Sequence, residues 1–135
     1  MSLSTQDALI YLMVIAASSD AAVSDRELHS IEGMVGRLPV FDGYDRDQFA
    51  TTARDCLDLI KDSHSLDNVI DMVLKAIPAR LHDTAYALAV EVAAVDLRLE
   101  QEELRLLEML RDRIDVDSLV TAAIEASARA RLRKA

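Results

Sequence analysis

A chain of 135 residues with three Gly, two Pro, no Trp, 51% apolar and 4% aromatic residues is long enough to bury one core without disulfides or a structural metal. It is too poor in turn-forming and aromatic residues for a sheet protein. Its formal charge of −9 at pH 7 excludes the basic footprint that nucleic-acid backbone binding requires, and favours cations or basic partners.

The first apolar run, Leu9 to Ala17, predicts a helix over about Ser4 to Ser19. The run is about half of the roughly 20 residues a bilayer span needs, and no basic region precedes it. The sequence is therefore read as having neither a signal peptide nor a membrane helix, and the expected location is the cytoplasm. A second helix follows from Ser24 to Arg37 and stops before Pro39, with an apolar stripe of Leu28, Ile31, Met34, Val35 and Leu38. Gly43 marks a turn, and a third helix is expected from Asp45, paired with Gln48 in capping-box spacing, to about Asp62. On it lies the lone Cys56, which excludes an internal disulfide, fits a reducing compartment, and reads as a small hydrophobe beside Ala53, Leu57 and Ile60.

Ser65 caps a fourth helix that ends before Pro78. The fifth, from about Ala79 to Val95, is apolar almost all round, like the first. The sixth, Glu100 to Arg113, carries a stripe of Leu104, Leu107, Leu110 and Ile114, and a last helix runs from about Val116 to Arg131. No linker separates these elements, so the expectation is one domain over residues 1–135, all-α, a compact bundle of about seven helices. The two helices apolar on every face belong in its middle, with amphipathic neighbours around them. The basic end, Arg129, Arg131, Arg133 and Lys134, suits the negative end of a final helix.

The sequence also matches itself at an offset of 76 residues. Asp7 falls on Asp83, Leu12 on Leu88, Val14 on Val90 and Ala17 on Ala93. The match continues with Asp20 on Asp96, Glu27 on Glu103, Leu28 on Leu104, Glu32 on Glu108 and Arg37 on Arg113. Substitutions between the two segments keep their character, as in Val23 with Leu99 and Met34 with Leu110. The expectation is a pseudo-two-fold internal repeat with halves of about 7–38 and 83–114, each a buried helix, a short acidic turn and an amphipathic helix.

Each acidic turn reads Asp, two residues, an aliphatic, three residues, then Glu-Leu. Asp20 stands at the carboxyl end of a helix, where an anion is disfavoured, whereas Glu27 stands in the first turn of the next, where it is favoured. Capping accounts for the first copy, because Ser24 and Glu27 form a capping box. In the second copy the cap position holds Glu100, a poorer cap, yet Asp96 and Glu103 remain. The alternative is a cation site: if Asp20, Glu27, Asp96 and Glu103 converge, their repulsion calls for a cation, and an all-oxygen set favours Ca²⁺ or Mg²⁺. An EF-hand is excluded, since the positions that should hold its other ligands and its glycine are Ala16, Ser18 and Ala21, and in the second copy Val92, Ala94 and Leu97.

The apolar helix, the acidic turn and the duplication together resemble the tellurite-resistance TerB family of bacterial all-helical domains. The resemblance covers about Asp7 to Asp117 and rests on Asp20, Val23 and Glu27, and on Asp96, Leu99 and Glu103; the family's glycine after the aspartate is absent from both turns. The resemblance implies a TerB-like fold with pseudo-two-fold halves, a role in tellurite resistance and stress response, a metal-binding acidic surface, and protein partners at the inner membrane.

Little else suggests chemistry. Glu91 interrupts the fifth helix, where a carboxylate should be paired, protonated or facing a cleft, with Arg80 or Arg98 as the expected partner. His29, His64 and His82 lack metal-ligand spacing, no Glu-x-x-His motif occurs, and there is no nucleophile signature or glycine-rich phosphate loop. Asp42, Asp45 and Asp47 read as ordinary helix-start acids. The sequence thus points to a non-catalytic TerB-like domain binding a divalent cation through Asp20, Glu27, Asp96 and Glu103 within a protein complex. The alternative is a metal-independent helical interaction module; a third reading, a hydrolase, would need a cleft around Glu91.

Overall fold

The computed structural model describes residues 3–18, 22–63, 65–94 and 101–135, the side chains of 101–104 excepted. Among the described residues the fold is carried by seven α-helices: α1 (Thr5–Ala17), α2 (Asp25–Arg37), α3 (Phe49–Asp62), α4 (Leu66–Lys75), α5 (His82–Ala94), α6 (Gln101–Arg113) and α7 (Ser118–Arg131). Asp20, His64, Asp96, Arg98, Leu99 and Glu100, and the side chains of Glu103 and Leu104, about which the sequence raised expectations, lie outside the described residues.

Helix α1 organises the rest. Ser4 caps it by accepting from the Asp7 amide, and every residue from Ala8 to Ala17 is buried. A helix apolar on all faces must be covered on all faces, and α2, α3, α4 and α5 each pack against it. Helix α5 in turn carries α6 and α7. The central position expected for the first helix holds. That expected for the fifth holds on most of its circumference: Ala85, Tyr86, Leu88, Ala89, Val90 and Ala93 are buried, while Ala87, Glu91 and Val92 are half-buried.

Local signals set the helix bounds. Ser24 and Glu27 form the expected capping box at the start of α2. Ser65 caps α4 through the Asn68 amide, and Asp117 caps α7 through the Leu119 amide. The third helix differs from expectation: Asp45 accepts from the Asp47 amide, so a single 3-10 turn at Arg46–Gln48 intervenes and the α-helix begins at Phe49. A similar turn, Ala79–Leu81, precedes α5. Both follow segments where the chain reverses, and the tighter helix lets it turn within one residue triplet. Gly43, with φ of 81°, makes the reversal before α3 in a conformation that disfavours side chains.

Polar groups tie the amino end of α1 to its surroundings. The Thr5 hydroxyl donates to the Ala76 carbonyl, and the Gln6 amide donates to the carbonyls of Val40 and Asp42. Asp7 accepts from Tyr44 at 2.9 Å and from Thr52 at 3.2 Å, joining α1, the loop after α2, and α3. Cys56, fully buried on α3, directs its thiol at the Tyr11 carbonyl; burial pushes the thiol up to about 12, so it is an inert small hydrophobe at neutral pH.

Burial pushes the Tyr44 phenol up to about 12 from its ordinary 10; the hydrogen bond to Thr52 opposes the rise, and the hydrogen bond and charge of Asp7 add to it. A group whose folded pKa is raised contributes stability that is present below the unfolded pKa and lost as pH rises through the folded one. Tyr44→Phe should therefore cost about 1 kcal/mol near neutrality through the lost hydrogen bonds. It should also flatten the loss of stability between about pH 10 and 12. Urea midpoints of the two proteins across that range check both expectations.

Candidate functional site

Of the four turn carboxylates, Glu27 is the one whose side chain is described. It sits exposed in the first turn of α2, with Oε1 accepting from the Ser24 hydroxyl at 2.8 Å and from the Ser24 amide at 3.4 Å. This oxygen closes the capping box, and Oε2 lies outside it. Among the described residues no group of three or more His, Cys, Asp or Glu side chains could hold a metal ion. By donor type the Glu27 carboxylate suits a hard divalent cation.

Glu91 is paired, with a partner that sequence reasoning missed. The Arg131 guanidinium donates from Nη1 to Oε1 and from Nη2 to Oε2, both at 2.7 Å; of the two expected partners, Arg80 forms no ion pair among the described residues and Arg98 lies outside them. Nε of Arg131 donates to Ser127 one helical turn back. The hydrogen bond and charge of Glu91 hold the guanidinium above its ordinary value. This two-pronged pair joins α5 to the last turn of α7. Forty residues separate the partners in sequence, and no local pattern could have singled out Arg131 among the cations of the basic end.

A second polar group pins the same two helices at another level. The Tyr86 hydroxyl, on a fully buried side chain, donates to Glu125 at 3.1 Å. It accepts from Arg111 of α6, which also donates to Glu125 at 3.4 Å. Burial raises the Tyr86 pKa most, and Arg111 opposes that rise. Arg113 of α6 bridges Asp67 and Asp71 of α4, each at 2.9 Å. These groups hold helices together: Tyr86, Arg111 and Glu125 join α5, α6 and α7, and Arg113 ties α6 to α4.

Glu91 and Arg131 also mark the edge of a groove between α2, α5 and α7, with a volume of about 720 Å³. Helix α2 contributes Met34, Arg37 and Leu38 from its carboxyl end, and α5 contributes Ala87 and Leu88 beside Glu91. The third wall is α7, whose lining residues run from Leu119 to Arg131. Leu119 is 77% exposed and Val120 41%. The sequence hinted at this feature through α5, a helix apolar almost all round that α1, α6 and α7 leave uncovered at Ala87 and Glu91.

The structure keeps the two sequence-predicted acids apart. Glu27 begins α2, whereas Glu91 lines the groove with Arg37 and Leu38 at its far end. Ten residues of helix between Glu27 and Arg37 span about 15 Å. A smaller groove of about 460 Å³ between α2 and α3 mixes Asp25, His29, Glu32 and Arg54 with apolar residues.

No family model, no curated protein and no solved structure matches the chain.

The ion pair generates a local expectation. Glu91→Gln keeps the shape but removes the charge that holds Arg131, so amides 128–131 at the end of α7 should exchange faster with deuterium. Those of α1 should be unchanged. Equal protection throughout α7 in wild type and variant would show that the pair does not anchor the helix.

Proposed function

We propose that the chain is a non-catalytic, TerB-like helical module that works by binding protein, and that the groove between α2, α5 and α7 is where its partner sits. One observation carries this reading. The polar groups that join α5 to α6 and α7 are paired internally, while α7 leaves Leu119 and Val120 open to solvent at the groove. Apolar surface at the mouth of a concave feature is the usual mark of an interaction site. The setting we propose, from the TerB resemblance, is a cytoplasmic stress-response complex of the tellurite-resistance type with partners near the inner membrane.

A neutral amphipathic peptide of about 16 residues, with Leu at helical spacing and Gln elsewhere, tests the groove. Titrated into ¹⁵N-labelled protein, it should shift the amides of Ala87, Ala123, Ile124 and Ser127. Leu119→Asp, at an exposed position that leaves the core intact, should abolish the shifts. Shifts confined to other surfaces would reject the reading.

A second reading concerns the acidic turns, and the element bounds favour it. Helices α2 and α6 each have 13 residues and begin at Asp25 and Gln101, the offset of the sequence self-match. Helix α1 packs on α2 and α3, and α5 on α6 and α7, so the neighbours recur in the same order. We propose on this basis that the domain is an internal duplication and that Asp20, Glu27, Asp96 and Glu103 hold a divalent cation, Ca²⁺ or Mg²⁺. Such a cation would supply charge neutralisation to the turns. Millimolar Ca²⁺ or Mg²⁺ should then raise the melting temperature of the wild type by a few degrees. The Asp20→Asn/Asp96→Asn variant should not respond, and identical behaviour of both proteins would leave capping as the sole role of these acids.

A further inference from the structure

We infer that the occupant of the α2, α5 and α7 groove is an amphipathic helix whose apolar face is flanked by acidic residues. This rests on the groove being a protein-binding site and adds the chemistry of the partner. Two observations point to it. The first is length: the lining of α7 extends over twelve residue steps, from Leu119 to Arg131, which is about 18 Å of helix. That trough suits a partner helix of three to four turns lying along α7, with apolar anchors at i, i+3 or i+4 and i+7 spacing.

The second is charge. The protein as a whole carries −9, yet the charged residues lining the groove are two cations and one anion, Arg37, Arg131 and Glu91. Glu91 is engaged by Arg131, and among the described residues no carboxylate forms an ion pair with the exposed Arg37. Beyond Arg131 the chain continues with exposed Arg133 and Lys134. The groove is thus an apolar trough whose charged rim, Arg37 with the Arg131–Glu91 pair, sums to +1 on a molecule that is acidic overall. A basic helix would meet repulsion at that rim, and an acidic one would be drawn to it. The −9 charge elsewhere on the surface also repels an acidic partner that docks anywhere else, so the rim sets both orientation and place.

Three peptides of the same Leu spacing test this, their flanking positions filled with Glu, Gln or Lys, with affinities measured by fluorescence anisotropy on the whole chain. The Glu peptide should bind about tenfold more tightly than the Lys peptide at low salt, with the gap narrowing as NaCl is raised. Arg37→Glu, an exposed change, should reverse the order, and Leu119→Asp should weaken all three. Equal binding of the three peptides in the groove overturns the acidic-partner inference and leaves the binding-module reading intact. Absence of binding by any of them overturns both. Tight binding of the Glu peptide that Leu119→Asp does not affect places the site elsewhere and overturns the inference. Concentration-dependent sedimentation of the wild type that Leu119→Asp abolishes makes a second copy of the chain the occupant, and overturns it as well.

Discussion

The need to cover α1 on every side governs the architecture. A helix with no polar face gains from burial in all directions, of the order of 2 kcal/mol for each fully buried large aliphatic side chain. Leu9, Ile10, Leu12, Met13 and Val14 all lie within it, at 1% exposure or less. Four helices are required to close that cylinder, and the chain supplies α2, α3, α4 and α5. The amino end of α1 is where their connections meet. Thr5, Gln6 and Asp7 bond in turn to the segment after α4, the loop after α2, and α3, so one helical turn fixes the register of several neighbours.

Helix α5 has nearly the same composition and a different outcome. It lies against α1 on one side and carries α6 and α7, and the remaining arc faces the groove. A fully enclosed α5 would need another helix where the groove now lies. Two polar devices compensate by pinning α7 across α5: the buried Tyr86 hydroxyl with Arg111 and Glu125, and the paired Glu91 and Arg131. They fix α7, one wall of the groove, against α5. An open, preformed groove spares a partner the ordering cost that binding otherwise carries.

The carboxylates separate into two kinds of role. Glu27 satisfies the free Ser24 amide at the start of α2, and Asp7 accepts from the part-buried hydroxyls of Tyr44 and Thr52. Both kinds serve the fold first, because a helix start and a part-buried hydroxyl each need an acceptor and the backbone supplies none there. A cation role for the turn acids would sit on top of the capping, using carboxylate oxygens that the cap leaves over.

The all-helical class, the seven helices and most of their ends were legible in the sequence because each depends on neighbours within a turn or two. Ser24 with Glu27, Ser65, Pro39 and Pro78 act over three or four residues, and the apolar saturation of residues 8–17 dictates a central place for α1. Asp45 was misread as the cap of an α-helix because Asp at that position serves a 3-10 turn equally well, and the choice depends on how the chain leaves Gly43. What the sequence could not determine is which helix leaves which face uncovered. The groove, the choice of Arg131 as the partner of Glu91, and the Tyr44 and Tyr86 clusters all join residues far apart in the chain. Their meeting depends on how seven helices share the surface of two, and that geometry is decided only when the helices pack.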